Sequence, residues 1–141
     1  MGKELIWQCY TDDEHESVKL MENRFNSLSR PYALYLEGEL GAGKTFLCQQ
    51  IAKLNGIESL TSSSFLNFTI HSCKSKIIHV DYYYNHTPDD FFFSNIYEEI
   101  DDNTIILSEW CPEYFKLNIS QFIVKIVLVN ESRRKISLYS V

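Results

Sequence analysis

The chain has 141 residues, 45% hydrophobic and 14% aromatic, which is enough apolar material to pack residues 1–141 as one domain without disulfide or metal staples. Thirteen Lys and Arg against nineteen Asp and Glu leave a formal charge of −6. That balance excludes the basic footprint of a dedicated nucleic-acid binder, so any connection to RNA is expected to run through a partner.

In chain order, Leu5–Cys9 reads as a short strand, and Thr11 with Glu14 as a capping box opening a helix whose apolar stripe is Val18, Leu20, Met21, Phe25 and Leu28. Pro31 closes that helix ahead of a compact buried strand, Tyr32–Leu36. A glycine segment follows, then a helix over Thr45–Leu54 with Asn55-Gly56 as its stop signal. Thr61–Ser64 is a polar loop, and Phe65–His71 and Lys76–Tyr84 are predicted strands joined by a turn at 72–75. Pro88 opens a helical stretch ending near Ile100, and three further strands are expected at Thr104–Ser108, Phe122–Val129 and Ile136–Tyr139, the last after a turn holding Arg133 and Arg134. Compact apolar strands between helical stretches predict an α/β fold whose sheet is covered on both faces.

The four cysteines (Cys9, Cys48, Cys73, Cys111) form no C-x-x-C pair and read as reduced thiols, Cys48 as core packing. The first residues lack the apolar core of a signal peptide, and no apolar run approaches the roughly 18 residues of a membrane helix. A cytoplasmic, soluble protein that does not engage membranes is expected.

Three of the five glycines fall between positions 38 and 43, in Gly38-Glu39-Leu40-Gly41-Ala42-Gly43-Lys44-Thr45. This matches G-x-x-x-x-G-K-[ST], in which glycines let backbone N–H groups approach phosphate oxygens and the following helix directs its positive end at the same anion. Lys44 then supplies a point charge to the β- and γ-phosphates and Thr45 a hydroxyl ligand for Mg²⁺. Residues 38–46, including Phe46, are the expected cradle for ATP or ADP. GTP specificity lacks an N-K-x-D motif, which leaves adenine as the default base. A second Mg²⁺ anchor is expected where an apolar strand ends in a carboxylate. Asp81 after Ile77-Ile78-His79-Val80 fits, and Glu109 after Ile105-Ile106-Leu107-Ser108 fits as a water-orienting or Mg²⁺-binding group, with Trp110 beside it. His79 faces the same side of its strand as Asp81, either as a hydrogen-bonded structural group or a catalytic one. Thr61 and Ser64 offer hydroxyls for a γ-phosphate-sensing loop.

The loop 38–45, Thr61-Ser62-Ser63-Ser64-Phe65, His79-Val80-Asp81-Tyr82-Tyr83 and Glu109-Trp110 resemble, in order and spacing over residues 5–139, the TsaE family. These are the P-loop ATPases of bacterial tRNA threonylcarbamoyladenosine (t6A) synthesis, and with the P-loop the resemblance implies an α/β, P-loop NTPase-like three-layer fold with a mixed parallel and antiparallel sheet. The resemblance implies cytoplasmic, Mg²⁺-dependent conversion of ATP to ADP and phosphate in support of a TsaB–TsaD heterodimer, with docking near the TsaD active site and tRNA reached only through that complex. It implies Lys44 and Thr45 as phosphate and Mg²⁺ residues, Asp81 as the Walker-B-like aspartate, Thr61–Phe65 as a switch-like loop, and Glu109 and Trp110 as a pair beside nucleotide and partner.

Some positions depart from the family pattern. Its S-P-T-F reads Ser62-Ser63-Ser64-Phe65, its second threonine after the lysine is Phe46, its basic residue after D-x-Y is Tyr84, and an E-R pair after E-W is absent. These changes bear on docking and turnover more than on nucleotide binding. Residues 81–113 hold nine acids and no Lys or Arg, which reads as a solvated face or a surface for a basic partner. With no arginine near the motif strands, slow hydrolysis alone and stimulation by the partner are expected. The rival readings are a small-molecule kinase and a nucleotide-gated binding module with little turnover.

Overall fold

The structure, a computed structural model, describes residues 3–39, 41–60, 68–81, 90–110 and 117–141. Among the described residues there are seven strands: β1 (Glu4–Thr11), β2 (Tyr32–Glu37), β3 (Thr69–Ser72), β4 (Lys76–Asp81), β5 (Thr104–Glu109), β6 (Ser120–Leu128) and β7 (Arg134–Ser140). Three helices accompany them: α1 (Glu14–Leu20), continued by a π-helical turn over Met21–Phe25, then α2 (Lys44–Leu54) and α3 (Asp90–Glu98). All seven strands join one sheet in the order β1-β7-β6-β2-β5-β4-β3. The four central strands run parallel, while β1, β7 and β3 add antiparallel edges. This is the mixed parallel and antiparallel sheet expected of the P-loop reading.

Alternation along each strand sends successive side chains to opposite faces, and both faces are covered. Leu34, Leu36, Ile77, Ile105, Leu107 and Val124 pack with Leu47, Cys48, Ile51 and Ala52 of α2. On the other face, Ala33, Tyr35, Ile78, Val80, Ile106 and Ile123 pack with Ile96 of α3. The central strands must therefore be apolar at nearly every position, which explains Tyr32–Leu36 and Ile105–Leu107.

Several boundaries differ from the sequence reading, each for a local reason. Thr11 ends β1 and accepts a hydrogen bond from the buried Ser17 hydroxyl, so it does not cap α1. Asp13 does so: Oδ1 accepts from the Glu16 amide at 2.8 Å while the Glu16 carboxylate accepts from the Asp12 amide. Arg134 lies inside β7, not in the turn before it. α3 stops at Glu98, because Glu99 and Ile100 donate to Ile96 and Tyr97 in tighter i→i−3 turns. Residues 65–67 and 82–84 of the two predicted strands, the loop 61–64 and the Pro88 start signal lie outside the described residues.

α2 ends as its stop signal requires. Asn55 closes the helix, and Gly56 takes φ 82°. The acidic stretch is only partly an open face: Glu109 is buried, and Lys76 pairs with Glu99 at 3.2 Å and Asp101 at 3.8 Å. Among the described residues, no helix is long and apolar enough to cross a membrane.

Candidate nucleotide site

The site lies at the carboxyl ends of β2, β4 and β5, where an open parallel sheet leaves a crevice for ligands. β2 ends at Glu37 because the next residue must come against β6: a Cβ on Gly38 would stand 2.7 Å from the Ile126 carbonyl oxygen. The chain then turns, with the Ala42 amide donating to the Glu39 carbonyl at 3.0 Å. Gly41 and Gly43 adopt φ 82° and 112°, left-handed conformations that side-chain-bearing residues resist. Gly43 is the N-cap of α2, and a Cβ on Gly41 would meet nothing within 4 Å. Leu40 lies outside the described residues.

Lys44, the first residue of α2, is only 5% exposed, and its ammonium donates to the carbonyls of Gly38 at 2.6 Å and Glu39 at 2.9 Å. The Trp110 ring covers it, 4.0 Å from centroid to Nζ. Burial pulls the Lys44 pKa below the ordinary lysine value, against the raising effect of the nearby Glu109 and Asp81 charges. Trp110 reaches over the ammonium from a backbone with φ 61°, unusual for a bulky residue and concentrated in proteins at functional positions.

Glu109 is the hub of the site. It is 2% exposed, and Oε1 accepts from the Thr45 hydroxyl at 2.9 Å while Oε2 meets His79 Nε2 at 2.6 Å. With the carboxylate as acceptor, the His79 ring carries its proton on Nε2. Cys48, one turn along α2 from Lys44, is fully buried against the same carboxylate. Burial, followed by the Glu109 and Asp81 charges and a hydrogen bond to Glu109, pushes its thiol pKa well above the usual range. Cys48 thus packs in the core, as expected, against the buried carboxylate. Asp81 is the register partner of Glu109 across β4 and β5, so both carboxylates sit at one level of the sheet.

On the other flank of the loop, Arg134 of β7 donates through Nε to the Ala42 carbonyl at 2.9 Å. This corrects the expectation that no arginine lies near the motif. No local signal marks it, since β7 reaches the loop only by pairing with β6, which pairs with β2. Beside Arg134 a cleft of about 70 Å³ is lined by Ser17, Gly43, Phe46, Leu47, Ile126 and Ile136.

The structure therefore brings together Gly38, Glu39, Gly41, Ala42, Gly43, Lys44, Thr45, Glu109 and Trp110, with Phe46 in the Arg134 cleft and Asp81 on the adjoining strand end. Thr61 and Ser64 lie outside the described residues.

Residues 11–136 match the family model described as "Threonylcarbamoyl adenosine biosynthesis protein TsaE". The chain is 29% identical over 140 residues to the tRNA threonylcarbamoyladenosine biosynthesis protein TsaE of Aquifex aeolicus, covering 96% of this chain and 98% of that protein. It is 30% identical over 132 residues to the protein of the same name from Rickettsia felis, covering 90% of this chain and 76% of the relative. Among solved structures, Bacillus subtilis YdiB superimposes with a TM-score of 0.72 at 20% identity, over 100% of this chain and 88% of that one, which shows the shared fold. The chain belongs to the TsaE family of threonylcarbamoyl adenosine biosynthesis proteins.

Proposed function

We propose that the chain is a cytoplasmic Mg²⁺-dependent ATPase that binds ATP at residues 38–46 and hydrolyses it in support of a TsaB–TsaD complex making t6A on tRNA. The observation carrying this reading is the Thr45–Glu109 pair at 2.9 Å beside Lys44, at the carboxyl edge of parallel strands. A hydroxyl and a carboxylate are the hard oxygen donors that suit Mg²⁺, and Asp81 adds a second carboxylate at the same level. When bound there, Mg²⁺ would neutralise charge on the β- and γ-phosphates.

The chain's own residues then have separate tasks. The amides around Gly41 and Gly43 and the N-terminus of α2 receive phosphate oxygens. Lys44 exchanges its two carbonyl partners for phosphate, and Trp110 shields it from water, where its charge counts for more. Arg134 and the cleft beside Phe46, on the flank of the loop away from β5, would take the nucleoside end.

The test is phosphate release by the purified chain with and without TsaB and TsaD. Slow turnover alone, a rise with the partners and loss of both in Lys44→Ala are expected. Robust turnover that ignores the partners would refute the supporting role. The resting contacts of Lys44 also favour a second reading, a nucleotide-gated binding module, because the lysine must release its own loop before a phosphate can be held. Loss of complex formation without any phosphate release to lose would select that reading. A small-molecule kinase would transfer phosphate to an acceptor and release none without it.

A further inference from the structure

Behind the Thr45–Glu109 pair, three chemically different donors converge in the core. Cys48 Sγ, a ring nitrogen of His79 and a carboxylate oxygen of Glu109 lie within 4.8 Å of one another. The three residues are 0%, 5% and 2% exposed, and they come from three separate elements, α2, β4 and β5. Magnesium has no use for this thiol, since it takes oxygen ligands in octahedral geometry and keeps much of its water. Sulfur, imidazole nitrogen and carboxylate oxygen together are the donor set of a borderline-soft ion held tetrahedrally by three protein ligands, with one position open.

We propose that Cys48, His79 and Glu109 form a binding site for a thiophilic divalent cation of the Zn²⁺ class. The ion takes the place of protons. Cys48 releases its S–H proton and binds as thiolate, and Glu109 supplies Oε2. His79 moves its proton from Nε2 to Nδ1, which frees the Nε2 lone pair for the metal. Bonds of about 2.0–2.3 Å to a tetrahedral ion hold ligand atoms roughly 3.3–3.7 Å apart. The His79–Glu109 contact at 2.6 Å therefore opens by less than the length of a bond, while the thiol draws inward from within 4.8 Å.

The far side of the imidazole is ready for the shift. Among the described residues, His79 Nδ1 has no hydrogen-bond partner, nor has the hydroxyl of Thr69, although both are buried. Thr69 stands directly opposite His79 in the β3–β4 pairing, which puts the two side chains on one face of the sheet. A metal-bound histidine ordinarily donates its second N–H to an oxygen, and Thr69, which is not hydrogen-bonded to Nδ1 in this structure, is the neighbour that would have to turn toward it when the proton moves.

Glu109 would then face two cations, Oε2 toward the soft ion and Oε1 toward Mg²⁺ at Thr45, and repulsion between two dications this close would make filling the sites antagonistic. This antagonism rests on the reading of Glu109 under the proposed function, whereas binding of the soft ion does not.

The site is tested by titrating Co²⁺ into nucleotide-free protein carrying Cys9→Ala, Cys73→Ala and Cys111→Ala, which leaves Cys48 as the sole thiol. One equivalent is expected to give a thiolate-to-cobalt charge-transfer band with tetrahedral visible absorption, and Zn²⁺ to bleach both. Adding Cys48→Ser, a one-atom change, should abolish the charge-transfer band. Adding His79→Gln should weaken the apparent affinity by more than the roughly 10–100-fold that loss of an outer-shell partner costs. Circular dichroism checks each variant for folding, and Cys48→Ser decides if His79→Gln does not fold. Absence of the band in the sole-thiol protein, or its survival in Cys48→Ser, overturns the proposal. Displacement of bound Co²⁺ by Mg·ADP supports the antagonism at Glu109. Binding that Mg·ADP leaves untouched overturns that antagonism but not the thiolate site.

Discussion

Thr45 and Glu109 are 64 residues apart in the chain, yet the hydroxyl of one donates to the carboxylate of the other at 2.9 Å, tying the first turn of α2 to the end of β5. His79 holds the second oxygen of the carboxylate, so Glu109 presents one defined oxygen to Thr45. Glu109→Gln keeps an acceptor for Thr45 but removes the charge. Phosphate release is expected to fall by roughly 10²–10⁴-fold, the range typical of a lost acid–base or charge-stabilising group. Nucleotide affinity measured without Mg²⁺ should change little. Steady-state kinetics with paired binding titrations check this, and an unchanged kcat would remove Glu109 from the reaction.

The loop glycines are required for two different reasons, and substitution separates them. At Gly38 the obstacle is space, since a Cβ there would stand 2.7 Å from the Ile126 carbonyl oxygen, while at Gly41 the space is open and the obstacle is φ 82°. Gly38→Ala is expected to cost about 1–3 kcal/mol by overpacking, and Gly38→Asn no less. Gly41→Ala should cost about 1–2 kcal/mol from the left-handed backbone. Gly41→Asn should recover part of that, because Asn tolerates this region. Urea denaturation of the four variants reads the contrast, and equal costs for Ala and Asn at position 41 would contradict it.

Local chemistry made the centre of the molecule readable. The β2–loop–α2 unit follows from a buried strand, a glycine motif and a helical apolar period, and Asp81 and Glu109 stand where apolar strands run out. What could not be read depends on pairing between distant segments. Arg134 reaches the loop through β6 and β7, and Cys48 looks like any buried thiol until His79 and Glu109 fold against it. The first helix shows a subtler limit. Thr11 and Asp13 both have capping chemistry, and the extension of β1 through Thr11 selects Asp13.

Asn55 shows how a residue readable as a helix stop also anchors tertiary structure. It is 4% exposed, and its Oδ1 accepts from both Arg30 and the buried Ser75 hydroxyl at 2.8 Å while Nδ2 donates to the Ile51 carbonyl. Asn55→Ala leaves Ser75 without this acceptor, and a loss of about 2–4 kcal/mol is expected, from the cap bonds plus a buried unsatisfied hydroxyl. In a double-mutant cycle Ser75→Ala should then cost less in the Asn55→Ala background than in the parent, by about 1 kcal/mol. Strict additivity would show that the two side chains do not act as a unit.

Arg134 distinguishes a nucleotide-gripping role from a catalytic one. Its Nε holds the Ala42 carbonyl at 2.9 Å and its side chain lines the cleft with Phe46, on the flank of the loop opposite Glu109. Arg134→Ala is expected to weaken nucleotide affinity by roughly 10–100-fold, the equivalent of one charged hydrogen bond. Arg134→Lys should fare little better, because an ammonium has no Nε fork with which to hold the loop while pointing into the cleft. At saturating ATP, kcat should stay close to the parent value, since under the proposed function the reacting phosphate would lie toward Thr45 and Glu109. An arginine acting on the transferring phosphate would instead take roughly 10³–10⁵-fold from kcat when removed. Measuring KM and kcat together for the two variants separates these outcomes, and a collapse of kcat at unchanged KM would show that Arg134 swings across the loop to supply the transition-state charge itself.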